Sequence, residues 1–139
     1  MKKFFSLFAF VLLAVAAKAE RTYTLASPDG HLQTTVTVAE TLTYDIVLDG
    51  RRIMEPSPLS MTLSDGTVWG DKAVVRKAVR GNHSGTVASP LYRSAEIEEC
   101  YNSLTLRMKG NWAVEFRAYD DGIAYRFVSE AKSPFTVAA

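Results

Sequence analysis

The sequence is poor in cysteine, since Cys100 is the only one among its 139 residues. A single thiol cannot form an internal disulfide, so a domain encoded here must be held together by its hydrophobic core. No histidine lies near Cys100 in the sequence, and thiol chemistry needs an activating neighbour. We therefore expect Cys100 to be a small buried hydrophobic residue.

Histidine is equally scarce, with His31 and His83 as the only two. Both lie in or beside glycine-containing turns, far apart in the sequence, and no cysteine or carboxylate cluster accompanies them at metal-ligand spacing. The sequence also lacks a G-x-S-x-G elbow, a glycine-rich phosphate loop and an H-E-x-x-H motif. We therefore assign no catalytic residue and no metal ligand, and expect both histidines to be solvated loop residues.

The chain is also too short for two large domains. A (β/α)8 catalytic barrel alone takes about 250 residues, whereas this sequence has 139 in total. One domain with a buried core is the expected organisation.

The N-terminus has the layout of a secretory signal peptide. Lys2 and Lys3 precede the apolar run Phe4–Ala17, and Ala17-Lys18-Ala19 forms an A-x-A cleavage pattern. A membrane anchor or lipid-tethered form is the alternative, but the run is shorter than the roughly 20 apolar residues of a transmembrane helix. We predict a signal peptide over residues 1–19, a mature domain over 20–139, and export to the periplasm or the extracellular space.

The charge of the mature domain argues against two classes of partner. The whole sequence has a formal net charge of +1, and loss of Lys2, Lys3 and Lys18 with the signal peptide turns this into −2. No basic surface for nucleic acid is expected. Neither charge nor an amphipathic helix directs the mature domain to a membrane.

The mature sequence alternates with a period of two, which is typical of β-strands. Leu32–Val38 and Leu42–Leu48 predict a hairpin, and Asp49-Gly50 predicts the next turn. Proline cannot donate to a ladder, so Glu55–Pro58 should be a crossover or an edge segment. Met61–Leu63 is predicted as a short strand.

The middle of the chain is less regular. Ala73–Val79 favours a strand with one wet face, and a short helix remains an alternative. Gly81–Pro90 is rich in glycine, serine and asparagine and predicts a loop.

Three adjacent antiparallel strands are predicted in the last third, separated by turns at Gly110-Asn111 and Asp120-Asp121-Gly122. One face of these strands should point into the core together, namely Leu104, Leu106, Trp112, Val114, Phe116, Ile123, Tyr125 and Phe127. Strands at this spacing predict an all-β sandwich or barrel. Pro134–Ala139 is apolar and has no turn or polar tail, so we expect a strand interrupted there and a sandwich incomplete at its C-terminal end.

Carboxylates are the groups that a glycosidase would need. Glu96, Glu98 and Glu99 form one acidic group and Asp120-Asp121 another. The two aspartates fit a tight hairpin, where their side chains bond the local backbone. Glu96 and Glu98 share one face of an extended segment, which indicates a wet face.

Aromatic side chains can stack on sugar rings, and the candidates are Trp69, Tyr92, Tyr101, Trp112 and Tyr119. Trp112 alternates in phase with the apolar residues of its strand, so it is assigned to the core. Trp69 lies next to a turn, where core packing and sugar contact are about equally favoured. It is therefore a weak candidate for substrate binding.

Four segments, in order and at matching spacing from about Tyr23 to Phe127, resemble the N-terminal domain of glycoside hydrolase family 97. They are Ser27-Pro28-Asp29-Gly30, Leu42-Thr43-Tyr44 with Asp49-Gly50, Glu55–Leu59, and Arg117–Phe127. The resemblance implies an antiparallel β-sandwich of the galactose-mutarotase-like type. In the complete enzymes this domain packs against a (β/α)8 barrel.

The resemblance further implies exo-acting α-glucosidase or α-galactosidase activity on α-linked oligosaccharides, with calcium near the active site. The family's acid, its base or nucleophile and its calcium ligands belong to later segments, so none is assigned to a residue here and no cofactor is expected in this chain. The first hypothesis is an accessory domain that is inactive alone. The alternatives are a stand-alone carbohydrate-binding module and a structural or interaction domain without a ligand.

Overall fold

The computed structural model of the protein describes residues 20–88 and 96–138. In chain order the strands are β1 (Arg21–Ala26), β2 (Leu32–Val38), β3 (Leu42–Leu48), β4 (Arg51–Pro58), β5 (Met61–Thr62), β6 (Val68–Trp69), β7 (Val75–Ala88), β8 (Glu96–Met108), β9 (Trp112–Tyr119) and β10 (Gly122–Ser129). The predicted signal peptide lies outside the described residues. No helix in the described part is long and apolar enough to span a membrane.

The strands form two four-stranded antiparallel sheets and a short β5–β6 ribbon. The first sheet has the order β1-β2-β3-β4, and the second has the order β10-β9-β8-β7. Each sheet is a meander, because every strand pairs with its neighbour in the sequence. The predicted all-β antiparallel sandwich is confirmed.

The hydrophobic core lies where β8 and β9 pack on β1 and β2. Strand side chains alternate between the two sheet faces, so each strand contributes every second residue. The largest fully buried apolar side chains are Val36, Leu42, Leu104, Leu106, Met108, Val114 and Phe116. Burying a side chain of this size stabilises the fold by about 1.5–3 kcal/mol relative to leaving it exposed.

The predicted inward face is confirmed for five residues, which are Leu104, Leu106, Trp112, Val114 and Phe116. Ile123 and Phe127 are partly buried and pack against the same cluster. Tyr125 also points inward, since its ring lies 5.4 Å from Tyr44 of the first sheet and 5.9 Å from Phe116, but 44% of this residue is exposed. It lies in β10, an edge strand of the second sheet, where one side has no neighbouring strand.

The predicted turns are confirmed and show why these residues occupy them. Asp49 and Gly50 have φ values of 48° and 76°, and Gly110 and Asn111 have 104° and 60°. Two successive residues with positive φ favour the right-handed twist of a hairpin, and glycine, asparagine and aspartate adopt this conformation most readily.

Pro56 and Pro58 lie in β4, the outermost strand of the first sheet beside β3. Of the two predicted alternatives for Glu55–Pro58, the edge segment is the observed one. An edge strand tolerates proline because its outer backbone groups have no ladder to complete.

The predicted loop at Gly81–Pro90 is wrong over residues 81–88, which continue β7 to Ala88. The predicted strand at Ala73–Val79 is confirmed from Val75, and the helical alternative is wrong. Two glycines of β7 leave space for neighbouring side chains. A Cβ on Gly81 would be 3.0 Å from Ser103 Oγ, and a Cβ on Gly85 would be 3.2 Å from His83 Nε2. Glycine in this strand therefore marks close approach rather than a turn.

Candidate functional site

Three turns meet at one end of the sandwich and join the two sheets. The Ser27 hydroxyl donates to Asp29 Oδ1 at 2.5 Å, and the Asp29 backbone N–H donates to Asp120 Oδ1 at 2.9 Å. Asp120 belongs to the β9–β10 turn, 91 residues away. The turn prediction for Asp120-Asp121 is confirmed, and the Asp120 carboxylate serves as a link between turns.

His31 extends this junction to the β3–β4 turn, where its Nδ1 contacts Asp49 Oδ1. The Asp49 backbone N–H donates in return to the His31 carbonyl at 2.9 Å. The hydrogen bond to Asp49 raises the pKa of His31, and the negative charges of Asp49, Asp29 and Asp120 act in the same direction. Hydrogen bonds from the Ser27 hydroxyl and the His31 backbone N–H lower the pKa of Asp29.

The His31 contact predicts a pH-dependent contribution to stability. A pKa raised above the ordinary value of 6.5 means that the contribution is fully present below that value and is lost as the pH rises through the folded-state pKa. The His31→Gln variant should melt below the parent protein at about pH 5.5 and at the same temperature at about pH 9. Thermal unfolding across this range measures the difference, which should be small because both side chains are exposed.

Asp49→Asn is the matched control, because it should remove the same pH dependence while keeping the histidine. A His31→Gln difference that does not change with pH would contradict the assignment.

A row of rings crosses the outer face of the second sheet. His83 stacks on Tyr101 with ring centroids 5.1 Å apart, and Tyr101 lies 5.1 Å from Tyr119. The Arg117 guanidinium is 4.5 Å from the centre of the Tyr101 ring, within cation–π distance. The Tyr119 hydroxyl donates to Glu99 Oε1 at 3.3 Å. The rings cover one another, so we interpret the row as cross-strand packing.

The same face carries a charged network. Arg117 donates to Glu115 at 2.8 Å, and Arg126 donates to the other oxygen of Glu115 at 2.8 Å. Partial burial favours the neutral carboxyl, but the hydrogen bonds from Arg126 and Arg117 outweigh it and lower the pKa of Glu115. Hydrogen bonding to Tyr119 and Glu115 raises the pKa of Arg117. These charges neutralise one another.

Trp69, the sequence candidate for substrate binding, is packed in the core with 5% of its surface exposed. Its ring stacks on Trp112 with centroids 5.4 Å apart and planes 4° from parallel, and Phe135 lies 5.0 Å away. These ring contacts explain the position of Trp69 as packing within the hydrophobic core. A sugar contact at Trp69 stays a prediction.

The other predicted residues lie on the β7–β8 hairpin. Glu96 and Glu98 share a face, as predicted, and both are exposed. Cys100 is exposed, so its predicted burial is wrong. His83 lies in strand β7 rather than in the predicted loop. Tyr92 lies outside the described residues.

The described residues do not fit a calcium site. Calcium is bound by several oxygen ligands at once, and no three His, Cys, Asp or Glu side chains within residues 20–88 and 96–138 are grouped so that they could hold a metal ion. Sequence reasoning missed the junction at Asp29 and Asp120, although both residues belong to the segments that carry the family resemblance.

Two antiparallel meanders packed face to face define a β-sandwich domain. Residues 25–139 match the family model described as Glycosyl-hydrolase 97 N-terminal, and the chain belongs to this family. It is 52% identical over 137 residues to the retaining alpha-galactosidase of Bacteroides thetaiotaomicron. That match covers 99% of this chain and 21% of the relative, so the chain spans about a fifth of the relative's length.

Solved structures show the same fold. A glycoside hydrolase family 97 enzyme from Pseudoalteromonas sp. strain K8, in complex with acarbose, matches 76% of this chain and 17% of its own, with a TM-score of 0.68 at 19% identity. A beta-arabinopyranosidase matches 76% of this chain and 18% of its own, with a TM-score of 0.69 at 21% identity.

Proposed function

We propose that this chain is the N-terminal β-sandwich of an exported retaining α-galactosidase and that it supports a catalytic (β/α)8 barrel in the same polypeptide. The observation that carries the proposal is the 52% identity that runs through 99% of this chain while covering only 21% of the relative. The substrate class is an α-linked oligosaccharide ending in galactose.

The contacts of the acidic residues support a structural role for this part of the enzyme. Glycoside hydrolysis uses two carboxylates held about 5–5.5 Å apart for retention, one on each side of the reacting bond. Asp120 instead bonds a turn backbone, and Glu115 is held by two arginines. We place the acid, the nucleophile and any bound calcium in other parts of the enzyme.

Export is part of the proposal and is supported by the layout of residues 1–19. N-terminal sequencing of the protein recovered from the periplasm or the medium tests it. A mature protein that begins elsewhere than Glu20, or that stays in the cytoplasm, would contradict it.

A chimaera tests the supporting role directly. The segment of the Bacteroides enzyme that matches this chain is replaced by this chain, and hydrolysis of nitrophenyl α-galactoside is measured. We expect kcat/KM within about tenfold of the parent enzyme, a loss of no more than about 1.4 kcal/mol of transition-state stabilisation, and a product of retained anomeric configuration. The 139-residue chain alone should give no turnover.

Two controls make the outcome interpretable. The Bacteroides enzyme without the segment should be insoluble or inactive, and the chimaera should hydrolyse the α-glucoside less well than the α-galactoside. Turnover by the isolated chain that disappears in Glu99→Gln or Asp120→Asn, or a folded but inactive chimaera, would overturn the proposal.

A further inference from the structure

The β7–β8 hairpin extends beyond the rest of the second sheet. Pairing between β8 and β9 ends at Asn102↔Ala118, whereas pairing between β7 and β8 continues to Ala88↔Glu96. We call residues 82–88 and 96–102 the overhang. It therefore has no β9 beside it over most of its length.

In the overhang, the face of the sheet that is apolar in the core becomes polar. On β8, the face that buries Leu104 and Leu106 in the core continues into the overhang as Asn102, Cys100 and Glu98. The residues of β7 that share this face are Asn82, Ser84 and Thr86. Apolar side chains give way to polar ones where the first sheet ends, since the Asn102 side chain donates to the carbonyl of Ala26, the last residue of β1.

A cavity of about 390 Å³ opens at the overhang, and its lining includes Asn82, Ser84, Cys100 and Asn102 of this polar face together with His83 and Tyr101. This volume falls within the range of roughly 300–1,000 Å³ that is usual for small-molecule sites. Its neighbour, a cavity of about 220 Å³, shares Ser84 and Cys100 with it. The two together form a continuous shelf along the overhang.

The larger cavity offers hydrogen-bond donors and acceptors, and the smaller one adds the carboxylates of Glu98 and Glu99 as acceptors. The side chains of Asn82 and Ser84 make no hydrogen bond to another described residue. Asn102 uses its amide nitrogen on Ala26, which leaves its Oδ1 as an acceptor. Amide and hydroxyl groups, with carboxylates beside them as further acceptors, match a ligand whose hydroxyls each donate and accept.

We propose that this shelf binds an uncharged, hydroxyl-rich ligand, namely a sugar unit of an oligosaccharide. Asn82 supplies an amide donor and acceptor, Ser84 a hydroxyl, and Asn102 a carbonyl oxygen. The adjoining cavity gives room for a second sugar unit. This inference concerns binding by the chain itself and holds whether or not the chimaera described above is active.

Cys100 provides a built-in reporter, because it is the only cysteine, it is exposed, and it lines the cavity. The rate at which a thiol-reactive dye modifies Cys100 in the full chain is measured with increasing melibiose, a neutral α-galactoside. At a sugar concentration about ten times its Kd, the rate should fall about tenfold, because only the unoccupied fraction reacts. Betaine at the same concentration serves as the control solute and should leave the rate unchanged.

Substitutions test whether the protection of Cys100 depends on the residues of the shelf. Asn82→Leu and Ser84→Ala should each weaken protection, whereas Ser103→Ala, on the opposite face of β8, should keep it. The melting temperature of each variant is first shown to equal that of the parent protein. If Asn82→Leu does not fold, the proposal is tested with Ser84→Ala alone. A rate that melibiose leaves unchanged, or protection that survives the shelf substitutions, would overturn the proposal.

Discussion

Replacing Phe116 by alanine is expected to lower the free energy of unfolding by about 3–5 kcal/mol. Phe116 is fully buried in β9, an inner strand of the second sheet. Its ring lies 5.8 Å from Tyr44 of the first sheet and 5.9 Å from Tyr125 of β10. Truncation removes contacts on both sides of the sandwich and leaves a cavity that the surrounding β ladders cannot close.

Urea denaturation of the parent and the variant measures this loss. Small domains have about 5–15 kcal/mol of stability in total, so the variant should unfold at a much lower urea concentration. Ile53→Ala is the matched control, since Ile53 is 55% exposed and its truncation should change the stability by no more than about 0.5 kcal/mol. If both variants lose the same amount, the assignment of Phe116 to the core would be contradicted.

Replacing Gly70 by alanine should be more damaging still and is expected to cost more than about 4 kcal/mol. Gly70 has a φ of +103°, and a Cβ built on it would lie 2.0 Å from the carbonyl oxygen of Leu59 and 3.1 Å from Ser60 Cα. Both obstacles are backbone atoms and cannot rotate away. The Gly70 carbonyl also accepts from the N–H of the fully buried Leu42 at 2.7 Å, so a shift here disturbs the core.

Gly30→Ala separates this clash from the general cost of a positive φ. Gly30 has a φ of +80° but nothing within 4 Å of an added Cβ, so its substitution should cost only the left-handed penalty of about 1–2 kcal/mol. Circular dichroism and urea denaturation of both variants measure the contrast. Equal losses would show that the structure around Leu59 is more open than described.

Local alternation predicts well the strands that face the core along their whole length. In β2 and β9 every second residue is buried, so the period of two reveals the strand, its face and its bounds. The β3–β4 and β8–β9 turns are equally local, because their positive-φ residues are aspartate, asparagine and glycine, the types that adopt it most readily.

Sequence reasoning fails where pairing across the sheet decides the structure. The glycine-rich half of β7 has the composition of a loop and becomes a strand only because β8 pairs with it. Cys100 has the hydrophobicity of a core residue, but the overhang leaves its face open to solvent. The link between Asp29 and Asp120 spans 91 residues, a distance over which a period of two carries no information.

The sequential strand order has a kinetic consequence. Because each strand pairs with its neighbour in the chain, every ladder closes over a short loop, and the entropy lost in each closure is small. Distant segments come together where one meander docks on the other, marked by contacts such as Asp29 to Asp120, and where Val137 forms a bridge with Leu63. The folding transition state should therefore lie at the docking of the two meanders, after most strand pairs within each meander have formed. Folding should be faster than in sandwiches whose strands pair across long crossovers.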